Sequence, residues 1–145
     1  MKTKSVLLNL LFLLLPLAIW AQQSSKALGV WKMVDDRTGI AKSHIKLYDH
    51  NGKVYGKVVK TLHPSANHLC DKCTDYRKNQ PMLGMVIIEG LEYKDGYLKN
   101  GKVLFPKQGK WYDVEIWLQP GDANTLVLRG YWGPFFRTQY WTRVE

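Results

Sequence analysis

Two cysteines and two histidines lie close together near the middle of the chain. Cys70 and Cys73 are separated by two residues, a spacing that serves redox or metal chemistry in the cytosol and disulfide formation in exported proteins. His63 and His68 could complete a zinc site with the two thiolates. Their spacing is irregular, and oxidation would remove both sulfur ligands. We therefore predict a Cys70–Cys73 disulfide and neither a metal nor a cofactor, with the four-residue zinc site as the alternative.

The last strand-like segment carries a second candidate site. Strand alternation places four residues on one of its faces: Arg137, Gln139, Trp141 and Arg143. If this face points into the protein, Arg137 and Gln139 form a polar patch suited to the carboxylate of a ligand. The alternative is an ion pair within the protein. Its candidate partners are the carboxylates of Asp35, Asp113 and Glu115.

Aromatic side chains form a third group near the C-terminal end. Tyr112 alternates with apolar residues on its segment, so we place it on an inner face and add it to the candidate ligand contacts. Four more aromatics flank the Gly133-Pro134 turn: Tyr131, Trp132, Phe135 and Phe136. They indicate a ligand mouth, a partner surface or a plug at one end of the fold.

Motifs of known enzyme classes are absent from the sequence. It contains no Gly-x-Ser-x-Gly elbow, no Walker loop, no dinucleotide fingerprint and no His-Glu-x-x-His. Asp35 and Asp36 precede Arg37 in a predicted turn and are interpreted as ordinary solvated charges. We therefore predict no catalytic residues.

The elements that must position these groups are strands. Apolar residues alternate with a period of two in eight segments: 28–35, 41–48, 53–61, 83–91, 102–105, 111–118, 125–131 and 136–144. Turn dipeptides separate them, including Asn51-Gly52, Asp95-Gly96 and Asn100-Gly101. If Asn51-Gly52 forms a two-residue turn, Tyr48 faces Tyr55 across the hairpin. A long loop with both cysteines, residues 62–80, interrupts the pattern.

Eight short strands with hairpin connections predict an all-β, up-and-down antiparallel barrel, because closure leaves no exposed edge. A β-sandwich is the alternative. Gly29, Trp31, Trp141 and Arg143 make the fold similar to a calycin or lipocalin barrel. There, a first-strand Gly-x-Trp and a last-strand Arg clamp the floor.

Several sequence blocks appear in the same order in a known bacterial family: 29–31, 53–57, 70–73, 81–85, 126–131 and 137–144. The chain resembles the bacterial family of unknown function numbered 2147. This resemblance implies a secreted protein with a calycin-like barrel and no settled activity. Family members carry an acidic residue at the position of Phe105, so any role of that residue is missing here.

Residues 1–21 have the basic start, Leu-rich run and small residue at the cut that are typical of a signal peptide. Residues 22–145 then form a single domain in the periplasm or outside the cell. The net charge is +9, but the basic residues are scattered, so we predict no nucleic-acid partner. We also predict no stable membrane anchor, and a monomer or weak homo-oligomer.

These observations favour a non-catalytic module that binds a small hydrophobic or amphipathic ligand inside the barrel. The alternative is an envelope module for protein–protein interaction or structural support, with a solid barrel core.

Overall fold

The computed structural model describes residues 26–145, which form one closed antiparallel β-barrel. The strands are β1 (Gly29–Val34), β2 (Ala41–His50), β3 (Lys53–Thr61), β4 (Val86–Lys94), β5 (Tyr97–Phe105), β6 (Lys110–Gln119), β7 (Asp122–Trp132) and β8 (Phe135–Arg143). Each strand pairs with the next along the chain, and β8 closes the barrel against β1. The predicted up-and-down barrel is confirmed, and the sandwich alternative is wrong.

The predicted signal peptide, residues 1–21, lies outside the described residues. Within residues 26–145, no helix is long and apolar enough to cross a membrane.

The β2–β3 hairpin forms as its turn dipeptide predicts. Asn51 and Gly52 both have positive φ, 53° and 81°, as this tight turn requires. Tyr48 pairs with Tyr55, which confirms the predicted register.

The second Asn-Gly prediction is wrong. Asn100-Gly101 lies within β5 as a bulge, between Leu98 and the resumed pairing at Gly101. A Cβ on Gly101 would lie 2.6 Å from the Leu91 side chain. The glycine is therefore needed for close packing inside the barrel rather than for a turn.

The two ends of the barrel differ. At the closed end lie the start of β1, the end of β8 and the turns after β2, β4 and β6. Trp31 is fully buried there, and its indole Nε1 donates to the Ala27 carbonyl at 2.8 Å. The guanidinium carbon of Arg143 lies 4.2 Å from the centre of the Trp31 ring. Arg143 also donates to the carbonyls of Lys26, Leu28 and Ala123, which closes this end.

The other end, which we call the mouth, carries the connections after β1, β3, β5 and β7. Its largest element is the β3–β4 connection, residues 62–85, which we call the Cys loop. Cys70 and Cys73 form a disulfide within it, as predicted. The alternative zinc site of His63, His68, Cys70 and Cys73 is wrong, because the two sulfurs are bonded to each other and neither is a thiolate.

Arg77, which the sequence analysis did not single out, holds the Cys loop to the outer wall of the barrel. It is only 2% exposed. Its guanidinium donates to the Val86 carbonyl at 2.9 Å and to the Glu89 carboxylate. The same group lies 4.8 Å from the centre of the Trp111 ring. Arginines in loops are mostly exposed, so sequence alone carries no sign of this burial.

Candidate functional site

A cavity of about 300 Å³ lies inside the barrel and opens at the mouth. Its deeper wall is apolar and is formed by inward-facing side chains, among them Ile45, Val58, Val103, Leu128 and Trp141. This volume is at the lower end of the range for small-molecule sites. The barrel is therefore hollow in its mouth half, and the solid-core alternative does not describe this half.

Strand alternation in β8 supplies one side of the cavity. Arg137, Gln139 and Trp141 all line it, with Trp141 deepest and almost fully buried. Arg143 continues the same face to the closed end, where it covers Trp31. The structure thus brings Arg137 and Gln139 together on the cavity wall.

The guanidinium of Arg137 is already paired with a carboxylate. Its Nε donates to the two Asp36 carboxylate oxygens at 2.9 and 2.8 Å, and its Nη2 donates to Oδ1 as well. Gln139 Nε2 donates to the same Oδ1 at 3.0 Å. Asp35 lies farther off, 3.8 Å from Arg137 Nη2. An ion pair within the protein is therefore what the geometry shows.

The main partner differs from the three candidates that the sequence analysis named. Asp36, interpreted there as a solvated charge, makes the bidentate contact, and Asp35 is a secondary partner. The other two candidates lie elsewhere. Asp113 pairs with Lys102 at 2.6 Å, and Glu115 accepts a hydrogen bond from the Tyr131 hydroxyl. Only barrel closure brings the β1–β2 turn next to β8, so chain position did not reveal the pairing.

This pairing perturbs both groups. The hydrogen bond from Arg137 is the largest influence on Asp36 and lowers the pKa of its carboxyl. The hydrogen bond to Asp36 in turn raises the pKa of Arg137. Both side chains stay charged at neutral pH, and the positive charge of Arg137 is largely compensated. A ligand acid must therefore be bound chiefly by other basic groups.

Three further basic side chains line the cavity at the mouth: Arg37, Lys42 and Lys107. Among the described residues, Asp35 carries the one carboxylate in the cavity lining. Lys42 Nζ donates to the Ser65 hydroxyl at 2.8 Å, which holds the ammonium at the wall. The mouth thus presents an excess of positive charge above an apolar interior.

His63 and His68, the two histidines of the alternative zinc site, form hydrogen bonds within the Cys loop. His63 Nδ1 accepts from the Ser65 amide at 3.2 Å and contacts the Ser65 hydroxyl at 2.8 Å. His68 lines the cavity, and its Nδ1 donates to the Ser65 carbonyl at 3.0 Å, because a carbonyl can only accept. These contacts give both rings a structural role in the loop.

Tyr112 does not line the cavity itself. Its hydroxyl donates to Gln108 Oε1 at 2.6 Å, and its ring lies 5.1 Å from that of Phe105. Gln108 and Phe105 do line the cavity, so Tyr112 contacts two residues of the cavity wall.

An eight-stranded antiparallel barrel with a clamped floor and an apolar cavity open at one end is a lipocalin-like barrel. The chain belongs to the bacterial family described as "Uncharacterized protein conserved in bacteria (DUF2147)", whose model matches residues 29–143.

Among solved structures, the chain is similar to protein HP1028 from the human pathogen Helicobacter pylori, which is described as belonging to the lipocalin family. The two are 22% identical, with a TM-score of 0.68, over 81% of this chain and 82% of that one. At this identity the likeness shows the fold alone. No curated protein matches the chain.

Proposed function

We propose that this protein is an exported, non-catalytic module that binds a small amphipathic molecule with an acidic head group. The observation that carries the proposal is the polarity of the cavity. Its depth is apolar around Leu128 and Trp141, whereas basic side chains stand at its mouth. Apolar burial would supply most of the binding free energy, and the charges would select the head group.

The charges that remain after internal pairing support an anionic head group at the mouth. Because Asp36 compensates Arg137, an acid at the mouth meets Lys42, Arg37 and Lys107 instead. An ammonium head group would face the same positive excess and be disfavoured. This supports a carboxylate or another anionic group as the polar end of the ligand.

The length of the apolar part follows from the volume. At ~30 Å³ for each water-sized group, a cavity of about 300 Å³ holds about ten such groups. A single unbranched chain of about ten carbon atoms fits this space, whereas a sterol or a two-chain lipid does not.

Isothermal titration with three ligands that share a ten-carbon chain tests the proposal: decanoate, decanol and decyltrimethylammonium. We expect decanoate to bind most tightly and the ammonium compound least. Lys42→Met should weaken decanoate binding by about tenfold, the effect of losing one charge-assisted contact. Lys46→Met is the matched control, because Lys46 lies on the same strand but is exposed and does not line the cavity.

Equal affinity for the three head groups would remove the proposed role of the basic mouth. Native mass spectrometry gives a second test of the same proposal. If no chain length produces a one-to-one complex with the folded protein, the cavity is not a ligand site.

A further inference from the structure

Exposed apolar side chains are concentrated at the mouth. Among the residues described, twelve large apolar side chains are exposed, and five of them lie at or beside the strand ends that border the mouth. These five are Ile40, Leu62, Trp132, Phe135 and Phe136. They flank three of the four connections that surround the cavity entrance. Single exposed apolar residues are ordinary, but a cluster on one end of a small domain marks an interaction surface.

Four of the aromatic rings at the mouth form an unbroken series that begins at the cavity. Phe105, which lines the cavity, lies 5.1 Å from Tyr112 between ring centres, and Tyr112 lies 6.1 Å from Trp132. Trp132 stacks on Phe135 at 6.4 Å. Exposure is 45% at Trp132 and 63% at Phe135. The apolar lining therefore continues out of the cavity to the tip of the β7–β8 hairpin.

Positive charge surrounds this apolar surface. Four basic side chains of the mouth connections and their flanks are exposed: Arg37, Lys72, Lys107 and Lys110. Of the nearby carboxylates, Asp36 and Asp75 are paired with arginines of the protein, which leaves the exposed Asp71 beside Lys72. The surface thus combines projecting aromatics with an excess of cations.

We propose that the mouth docks reversibly on the surface of an anionic lipid bilayer. Trp132 and Phe135 would enter the head-group region, where aromatic side chains are favoured, while the basic side chains contact lipid phosphates. A second copy of the chain is a poorer partner for this surface, because both copies would bring the same positive charge. The docking does not depend on the proposed ligand. If both hold, the cavity entrance faces the bilayer from which an amphipathic molecule would come.

Co-flotation with vesicles tests the docking. Vesicles of phosphatidylcholine with phosphatidylglycerol should bind the protein, vesicles of phosphatidylcholine alone should bind it weakly, and added salt should release it. All variants carry the same N-terminus, so any contribution of residues 1–21 is common to them. Phe135→Ser should weaken partitioning by about tenfold. Tyr140→Ser is its control, since Tyr140 is also exposed (57%) but lies on the outer wall of β8.

The charge component has its own pair of variants. Lys107→Gln should weaken binding to the anionic vesicles by about fivefold, the effect of one basic residue near such a surface. Lys94→Gln, an exposed lysine at the closed end, should change nothing. These side chains are exposed, so unfolding midpoints should stay unchanged and confirm that each variant is folded.

The docking proposal would be overturned if the mouth variants and their controls changed vesicle binding equally. It would also be overturned if the protein did not bind anionic vesicles. A concentration-dependent dimer in analytical ultracentrifugation that Phe135→Ser abolishes would overturn it as well, because that result assigns the surface to a second copy. Decanoate titration of Phe135→Ser separates the two proposals, because Phe135 does not line the cavity. Loss of vesicle binding with decanoate affinity retained supports the docking, and it leaves the ligand site intact.

Discussion

Replacement of Asp36 by Asn should destabilise the barrel in a way that depends on pH. Asp36 accepts from Arg137 Nε at 2.9 and 2.8 Å and from Gln139 at 3.0 Å, and so ties the β1–β2 turn to β8. The side chains of Asp36 and Arg137 are 29% and 22% exposed, so solvent screens the pair only in part. Asn keeps the shape but removes the charge. It therefore mimics the protonated form of Asp36.

The expected loss at pH 7 is about 1.5 kcal/mol in the free energy of unfolding, between the values for an exposed ion pair and for a buried charged hydrogen bond. The pKa of Asp36 is lowered in the folded protein, chiefly by the hydrogen bond from Arg137. The unfolded chain has a pKa of about 3.9 at such a group. The charged form therefore stabilises the fold above that value, and the stabilisation is lost as the pH falls through the lower folded pKa.

Urea unfolding of both proteins between neutral pH and about pH 2.5 measures this difference. The gap between wild type and Asp36→Asn should be constant above about pH 5 and should narrow progressively as the pH falls below about 3.9. Asp113→Asn is the control. Its ion pair with Lys102 has side chains 71% and 58% exposed and should contribute at most about 0.5 kcal/mol. A gap that is absent at pH 7, or that persists unchanged at pH 2.5, would refute the reasoning.

Three further variants probe the clamp and the Cys loop. Arg143→Lys should lower the free energy of unfolding by about 2 kcal/mol in urea titrations, because Lys cannot both cover Trp31 and reach several carbonyls. A loss below about 0.5 kcal/mol would contradict the clamp. Arg77→Met should cost about 2–3 kcal/mol and accelerate amide hydrogen exchange throughout residues 69–85, since its bond to the Val86 carbonyl is lost. Unchanged exchange there would show that the loop is held by other contacts. Gly109→Ala should cost more than about 2 kcal/mol, because the new Cβ would lie 1.8 Å from a Cys-loop carbonyl. Gly121→Ala, also at positive φ but with nothing within 4 Å, should cost about 1 kcal/mol in the same urea titrations, and equal losses would contradict the steric argument.

Strand placement was predictable because it rests on local patterns. An apolar residue at every second position identifies a strand buried on one face, and Asn-Gly at a two-residue turn sets the pairing of its two strands. The β2–β3 register followed from these two facts. Asn100-Gly101 shows how far a local pattern reaches, since the same dipeptide forms a bulge there, packed against Leu91. A residue with positive φ can belong to a turn or to a bulge, and the side chains packed around that residue decide which of the two forms.

At the candidate site, the sequence predicted only which side chains of β8 share one face. Alternation in β8 placed Arg137 and Gln139 on the same face as Trp141, and all three line the cavity. The partner of Arg137 was not predictable, because Asp36 is 101 residues away in the chain. Arg77 was not predicted for a different reason. Its acceptors are within 12 residues in the chain, but they surround the guanidinium only once the Cys loop has folded against β4.

Local periodicity, turn chemistry and a cysteine pair three residues apart were enough for the strands, their order and the disulfide, because each depends on neighbours in the chain or on one hairpin. Barrel closure decided the remaining features. It brought the β1–β2 turn against β8, left about 300 Å³ unfilled at the mouth, and collected exposed aromatics and lysines around that opening. Those features depend on distances between residues far apart in sequence, and only tertiary packing sets such distances.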